Sequence, residues 1–372
     1  MLQGGGNTQG IGRVFRNALA ANASVAVLLT AVMYTVYCFV DKLGQPEELL
    51  PHIRPYFVLQ LISLLFIMLF NGFRQFAEGL TDTRTPMWIL LGGNALNIFG
   101  NYLLIYGSFG FPEWGLFGAG VSTLVSRIVM LLVFIGVVAV ARRYKVYREA
   151  ILRSRFNRND FMQLNALGWP IALQMGMETA AFSLSAIMVG WLGSIPLAAH
   201  QIMISVSTIG FMVYYGMGAA LAVRVSHFMG QKDFSNLRRA VNSGMGIILS
   251  LAIVASLFFY LARTPIIYSF TEDHEVMVVV SSLIFSLIVY QFGDALQITF
   301  ANALRGTTDV KPMMWIAFFS YFIVALPVGY LCGFTWGGGV VGVWVAFPAG
   351  LFTAGFLFWL RFRYRLQQLM KK

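Results

Sequence analysis

Long apolar runs separated by short polar connections make up most of the chain. Runs long enough to cross a bilayer, about 20 residues each, fall at roughly 18–40, 55–77, 87–107, 115–141, 163–192, 197–223, 240–262, 276–304, 313–334 and 339–360. This pattern predicts ten transmembrane helices and an all-α integral membrane protein, because a helix satisfies its own backbone where no water is present. Lys and Arg are unevenly divided between alternate connections. The set around Arg13 and Arg16, 74–86, 142–158, 224–239, 305–311 and the C-terminal tail holds 22, and the opposite set holds only Lys42, Arg54 and Arg263. That bias predicts a cytoplasmic location for the first set, with both termini inside; a plasma (inner) membrane is the expected location.

A second pattern lies over the first. Gly79-Leu80-Thr81-Asp82-Thr83-Arg84-Thr85-Pro86-Met87-Trp88 returns 227 residues later as Gly306-Thr307-Thr308-Asp309-Val310-Lys311-Pro312-Met313-Met314-Trp315. The match continues, with Tyr102 meeting Tyr330 and Gly115-Leu116-Phe117-Gly118 meeting Gly339-Val340-Val341-Gly342. Duplication within a hydrophobic chain is a mark of two-bundle transporters, whose binding sites lie between the repeats. The predicted organisation is an N-terminal bundle over 1–141, a basic cytoplasmic linker over 142–162 and a C-terminal bundle over 163–372. Used as a ruler, the repeat counts four spans in the first bundle against six in the second. It therefore predicts an N-terminal bundle two helices short.

Composition agrees with membrane residence. The chain is 58% hydrophobic and 11% charged with a mean hydropathy of +0.73, whereas soluble domains are about a quarter charged. The net charge of +11 is mostly the topology signal above, which excludes a nucleic-acid partner. Cys38 and Cys332 lie within apolar runs and read as small hydrophobes, with no metal site or disulfide framework implied. The densest basic run, Arg142 through Arg158, reads as a solvated loop or a short amphipathic helix on anionic lipid.

Charged groups inside a bilayer face a cavity or a partner, and Arg127, Glu178 and Asp294 are the three within spans. Tyr290, Asp294 and Gln297 share one helical face and form an oxygen-rich stripe suited to a proton or a hard cation. Asn94, Asn97 and Asn101 form a comparable stripe in the first half. Desolvation favours a neutralised carboxylate, so Asp294 and Glu178 are expected to take up a proton or a counter-cation. Arg127 is open to two readings, a structural pairing with an acid on a neighbouring helix and a functional role. Gln174, Met175 and Met177, beside Glu178, together with Met188 are expected to line an adaptable pocket wall.

Several chemistries are excluded. Gly4-Gly5-Gly6 and Gly337-Gly338-Gly339 lack the following Gly-Lys-Ser/Thr of a phosphate-binding loop. Phe292-Gly293-Asp294 has no second aspartate motif with which to share a proton, as an aspartyl protease requires. His200 and His227 stand alone. No enzyme and no cofactor are expected.

At Tyr290-Gln291-Phe292-Gly293-Asp294-Ala295-Leu296-Gln297 followed by Ala303-Leu304-Arg305-Gly306, the chain resembles the multidrug and toxic compound extrusion (MATE) family, NorM-type branch. Leu197-Ala198-Ala199-His200-Gln201-Ile202, Gly230-Gln231-Lys232-Asp233, and Asn97 with Asn101-Tyr102 carry it further, over essentially the whole chain. The resemblance implies an antiporter of two pseudo-symmetric six-helix bundles that exchanges Na⁺ or H⁺ for cationic amphipathic compounds by alternating access. It implies a cation site at Glu178, Tyr290 and Asp294, with Asp294 and Glu178 as Na⁺ ligands if sodium couples. It implies a substrate pocket at Asn97 and Asn101, to which the reading above adds Gln297, Gln174, Met175 and Met177. Membrane lipid and cationic small molecules are the expected partners, and a monomer the expected state. Two alternatives stand: an inactive or partial fragment of such a transporter, and a lipid-linked oligosaccharide flippase, which would show more basic cavity residues than Arg127.

Overall fold

A computed structural model describes residues 7–39 and 50–371. Gly4-Gly5-Gly6, Val40 at the end of the first apolar run, Lys42 and Lys372 lie outside the described residues. The described residues form no strand. They build α1 (Thr8–Cys38), α2 (Leu50–Gly79), α3 (Arg84–Tyr106), α4 (Gly115–Val140), α5 (Lys145–Arg153), α6 (Arg158–Gly190) and α7 (Ser194–Gln231). There follow α8 (Phe234–Leu261), α9 (Arg263–Phe270), α10 (His274–Gly306), α11 (Lys311–Phe318), α12 (Leu326–Tyr330), α13 (Gly339–Trp344) and α14 (Ala346–Met370).

Ten helical stretches are long and apolar enough to span a membrane, matching the ten predicted crossings; Lys311–Thr335 and Gly339–Met370 are compound. Most outrun their apolar windows, because the backbone ladder continues into polar ends that carry caps. The Asp273 side chain accepts from Glu275 N at 2.9 Å to open α10, and Asp233 accepts from Asn236 N at 3.0 Å to open α8. Between α11 and α14 the ladder widens into π turns at Phe319–Ala325 and Leu331–Thr335, on either side of α12. Pro327, at the start of α12, has no N–H to give to an α ladder.

The sequence repeat is also a repeat of backbone geometry. Thr81 and Thr308 occupy matching positions, both in the left-handed region at φ 63° and 57°. Both close a helix by the same pair of bonds. Asp82 N donates to Ala77 O and Asp309 N to Leu304 O, while Thr81 N and Thr308 N reach Glu78 O and Arg305 O. Farther on, Trp114 N donates to Leu104 O as Gly338 N does to Cys332 O. A β-carbon on Gly118 would lie 2.4 Å from Leu104 O, and one on Gly342 would lie 2.3 Å from Cys332 O. Only glycine allows either crossing.

The described residues divide into two compact units, within 7–165 and 166–371, with α6 beginning in the first and running into the second. In the first, α2 packs on α4, α3 on α4, and α1 on α2, around Phe70, Phe134, Phe15 and Phe76. Most of the predicted basic loop is helical. α5 docks on α1, with Arg16 donating to Ser154 O at 2.5 Å and Asn17 accepting from Asn157 N at 3.1 Å. Asp82 gathers Thr85, Tyr144 (2.5 Å) and Arg143 (3.0 Å). Burial raises the Asp82 carboxyl, but the hydrogen bonds from Tyr144 and Thr85 and the Arg143 charge outweigh it, holding the group below the ordinary range.

In the second unit, α10 is the axis. Twenty of its 33 residues are buried, most of them from Ser286 onward, as expected of a stretch with neighbours on most sides, while Phe285 before it is exposed. α7 approaches it closely at Gly210 and Gly218, where a β-carbon would meet Gln291 and Asn302, and α14 approaches at Gly355, against Leu296. The repeat aspartate here, Asp309, takes a two-pronged bond from Arg361 of α14, Nε at 2.6 Å and Nη2 at 3.0 Å.

Candidate functional site

The enclosure of α10 forces its polar residues inward, and helical periodicity sorts them by face. Tyr290, Gln297, Asn302 and Arg305 turn toward α6 and α7, where with Glu178, Thr179 and Phe182 they border a cavity of about 350 Å³. Glu178 is half-buried and is the acceptor at its centre. Its Oε2 accepts from Gln174 Nε2 at 3.0 Å and from Gln297 Nε2 at 3.1 Å. Gln297 also donates to the Tyr321 hydroxyl at 3.0 Å, and Arg305 donates to Gln174 Oε1 at 2.8 Å. The result is a continuous chain of donors and acceptors, Arg305–Gln174–Glu178–Gln297–Tyr321.

The aromatic wall is equally ordered. The Tyr290 ring stands edge-on to Phe182 (centroids 6.3 Å) and to Phe347 (6.4 Å), and Phe182 stacks on Phe347 at 4.8 Å. Phe211 and Tyr215 of α7 complete the apolar side of the cavity. Such a wall accepts flat hydrophobic bodies, while the carboxylate supplies a point of attraction for positive charge.

Asp294 lies one turn beyond Tyr290 and is 1% exposed. Neither carboxylate oxygen has a hydrogen-bond partner, nor do the Gln291 amide atoms or the Tyr214 hydroxyl. Unpartnered buried polar groups cost free energy in proportion to their charge. A cluster of them around a carboxylate is therefore a place where a proton or a small cation would be favoured.

Of the predicted residues, Glu178, Tyr290, Gln297, Gln174 and Met175 border the cavity, while Asp294 is sealed behind it. Met177 does not line the cavity; it is partly buried and packs against the core of the second unit. Met188 is a core residue at 7% exposure. The reason is angular: on α6, residues 174, 175, 178 and 179 share the cavity face, and 177 points off it. Asn97 and Asn101 belong to the first unit, where Asn97 bonds Ser122 and Thr123 (both 3.3 Å) and Asn101 bonds Asn97 (3.3 Å). Asn101 Oδ1 is left without a partner. Among the described residues Arg127 joins no ion pair; its guanidinium reaches Gln60 at 3.3 Å and Ser63 on α2. His200 is buried against Trp344 and Phe347. Among the described residues no group of three or more His, Cys, Asp or Glu could hold a metal ion.

Arg305 and Tyr321 are among the site residues that the sequence pattern does not mark, with Thr179, Phe182, Phe211, Tyr215 and Asn302. Arg305 looked like a loop charge and so counted toward topology, yet it ends α10 and faces the cavity. It adds a basic group where only Arg127 was expected. Tyr321 sits in a π segment, whose wider turn breaks the periodicity that would have placed it on a face.

The pattern of the MatE family matches residues 2–103 and 170–331. Multidrug resistance protein PmpM of Pseudomonas aeruginosa is 34% identical over 373 residues, covering 96% of this chain and 76% of that protein. Multidrug resistance protein NorM of Photobacterium profundum is 31% identical over 354 residues, covering 91% and 75%. In fold, the chain is similar to a crystal structure of a MATE transporter in complex with MaD3S, with a TM-score of 0.89 at 19% identity, covering all of this chain and 82% of that one. It is also similar to a MOP superfamily transporter from Pyrococcus furiosus, with a TM-score of 0.86 at 19% identity and the same coverage. The all-helical fold with ten apolar spans, the family pattern and these relatives agree, and the chain belongs to the MatE family of multi-pass membrane proteins.

Proposed function

We propose that the chain is a secondary-active multidrug efflux transporter that exchanges Na⁺ or H⁺ for cationic amphipathic compounds at the α6–α7–α10 cavity. The observation that carries this reading is a membrane-embedded carboxylate, Glu178, held by two amide donors in an aromatic-walled cavity, with unpartnered Asp294 one helix turn behind Tyr290. A cationic aromatic substrate satisfies both walls of that cavity. A coupling ion neutralises the same carboxylates, so substrate and ion compete, and that competition supplies the differential affinity alternating access needs. The flexible Met175 thioether lets the wall fit unlike substrates. The chain acts as a monomer without a resident cofactor or catalytic group, with its Lys- and Arg-rich connections in the cytoplasm.

The finer architecture belongs to the same proposal. Among the described residues Gly79 ends the second candidate span and Gly306 the eighth, and two further spans complete each repeat. This supports four and six spans in the two repeats of a six-plus-six family plan.

The test is export of a fluorescent cationic dye from proteoliposomes, driven by a Na⁺ jump or a pH jump. Asp294→Asn and Glu178→Gln should each abolish the gradient-driven component while the proteins remain monodisperse. Wild-type export by Asp294→Asn refutes the coupling role. No gradient-driven export by the wild-type chain under either jump refutes the transporter reading for this chain and leaves the inactive one.

A further inference from the structure

On the other side of α10 from the cavity, α8 and α14 both pack on this helix but barely touch each other. They leave a groove of about 450 Å³ with α10 as its floor, bordered by Asn242, Gly246 and Leu249 of α8, Phe300 of α10, and Phe356 and Trp359 of α14. Gly246 is the reason for its depth, since a β-carbon there meets nothing within 4 Å. The groove opens among exposed apolar side chains such as Ile247, Ile253 and Phe356. In a spanning helix such a surface faces lipid tails, so the groove is apolar along its length and open to hydrocarbon.

One end differs. Trp359 carries the Arg363 guanidinium over its ring at 4.9 Å. Arg238 stands one helical turn before Asn242 on the same face of α8. Both arginines are exposed, and neither joins an ion pair among the described residues. A guanidinium over an amphipathic indole, with a second guanidinium one helical turn from the groove-lining Asn242, gives this end of the groove the charge suited to a phosphate attached to hydrocarbon. A soluble anion would use the arginines and leave the groove unfilled; a zwitterionic lipid would fill the groove and gain less at its mouth.

We propose that this groove binds one anionic phospholipid, its headgroup phosphate held by Arg238 and Arg363 and an acyl chain lying over Leu249, Phe300 and Phe356. The floor residues Leu296 and Phe300 alternate along α10 with Gln297 and Ala301, which border the cavity. The lipid is thereby placed against the back of the helix that carries the ionisable stripe.

The experiment is native mass spectrometry of the full chain in detergent, titrated separately with dioleoyl phosphatidylglycerol and dioleoyl phosphatidylcholine. The expected result is one tightly retained phosphatidylglycerol. Affinity should fall about tenfold in Arg238→Gln/Arg363→Gln, which changes only exposed side chains, and retention should be lost in Gly246→Leu, which puts a side chain into the groove from a position where a β-carbon meets nothing within 4 Å. Gly136→Leu on α4, also in open space, should leave retention unchanged. Equal retention of the two lipids overturns the proposal. So does wild-type retention by the arginine double variant or by a monodisperse Gly246→Leu, or equal loss in Gly136→Leu.

Discussion

Removing either partner of the Asp309–Arg361 pair should loosen the second unit by an amount that a double-mutant cycle can isolate. The pair is two-pronged, with N–O distances of 2.6 and 3.0 Å, and its side chains are only 12% and 31% exposed for Asp309 and Arg361. It joins the turn after α10 to α14. A hydrogen bond to a charged group contributes about 1.5–3 kcal/mol when sheltered, and partial exposure of the arginine screens part of that. We expect about 2 kcal/mol from Asp309→Asn or Arg361→Gln alone, and a coupling of about 1.5 kcal/mol between them. The i,i+4 pair Arg74–Glu78 on α2, at 33% and 19% exposure, is the internal reference and should couple by only about 0.3–0.5 kcal/mol. The assay is the melting midpoint of the four proteins of each cycle in one detergent, followed by size-exclusion fluorescence. Coupling at Asp309–Arg361 no greater than at Arg74–Glu78, which has similar exposure but a single bond, would refute the reasoning, because the second prong would then count for nothing.

Gly118→Ala and Gly342→Ala should each lower the melting midpoint, since the new β-carbon would sit 2.4 or 2.3 Å from a backbone carbonyl at a typical overpacking cost of about 1–3 kcal/mol. Gly136→Ala, in open space, should melt like wild type, and the opposite ranking would discard the shared-crossing interpretation. The Tyr144 hydroxyl is pushed up to about 12 by burial and by its bond to Asp82. Its stabilisation is therefore complete below the free tyrosine value of about 10 and lost as pH rises toward 12; Tyr144→Phe should flatten that alkaline part of the melting curve. The folded Asp82 carboxyl lies below the ordinary range, so its contribution is present above about pH 3.9 and lost only as pH falls through the lower folded value. Melting between pH 5 and 8 should thus not report Asp82, and a midpoint that tracks it there would contradict the geometry. Met175→Ala should change the rank order of exported dyes at nearly wild-type stability, whereas Met177→Ala should lower stability and preserve the order, as dye-export panels and melting curves would show.

The spans were legible because apolar length is a one-dimensional property of the chain, and the duplication because turn chemistry survives in sequence. Thr81 and Thr308 occupy the same left-handed position in the two copies, so the repeated motif marks a repeated turn. The stripe of Tyr290, Asp294 and Gln297 was legible from periodicity on a regular helix. What periodicity could not say is which sides of that helix are covered. It grouped Asp294 with the cavity residues, although Gly210 and Gly218 of α7 draw a neighbour over it. Met177 was misplaced because sequence neighbours of Glu178 need not share its face. Arg305 was misread because a charge at a helix end looks the same in sequence whether it points to water or inward, and Tyr321 was hidden by a π turn that resets the angular count. Arg127 meets two neutral groups of α2, Gln60 and Ser63, and neutral partners of that kind leave no charge pattern in the sequence.

The enclosure of α10 also bears on how the protein is made. Gln291, Asp294, Gln297 and Asn302 are carried on one segment, which leaves the ribosome before α14, the helix that covers Gly293 and Leu296. During synthesis, shelter for that polar face comes from α7, already in the membrane and fitted to it at Gly210 and Gly218. The nascent chain then has a built-in order of assembly, in which the two glycines of α7 prepare a berth for the segment that bears the carboxylate. A bulky residue at either glycine would act first on the yield of inserted protein, before the finished molecule has anything to transport.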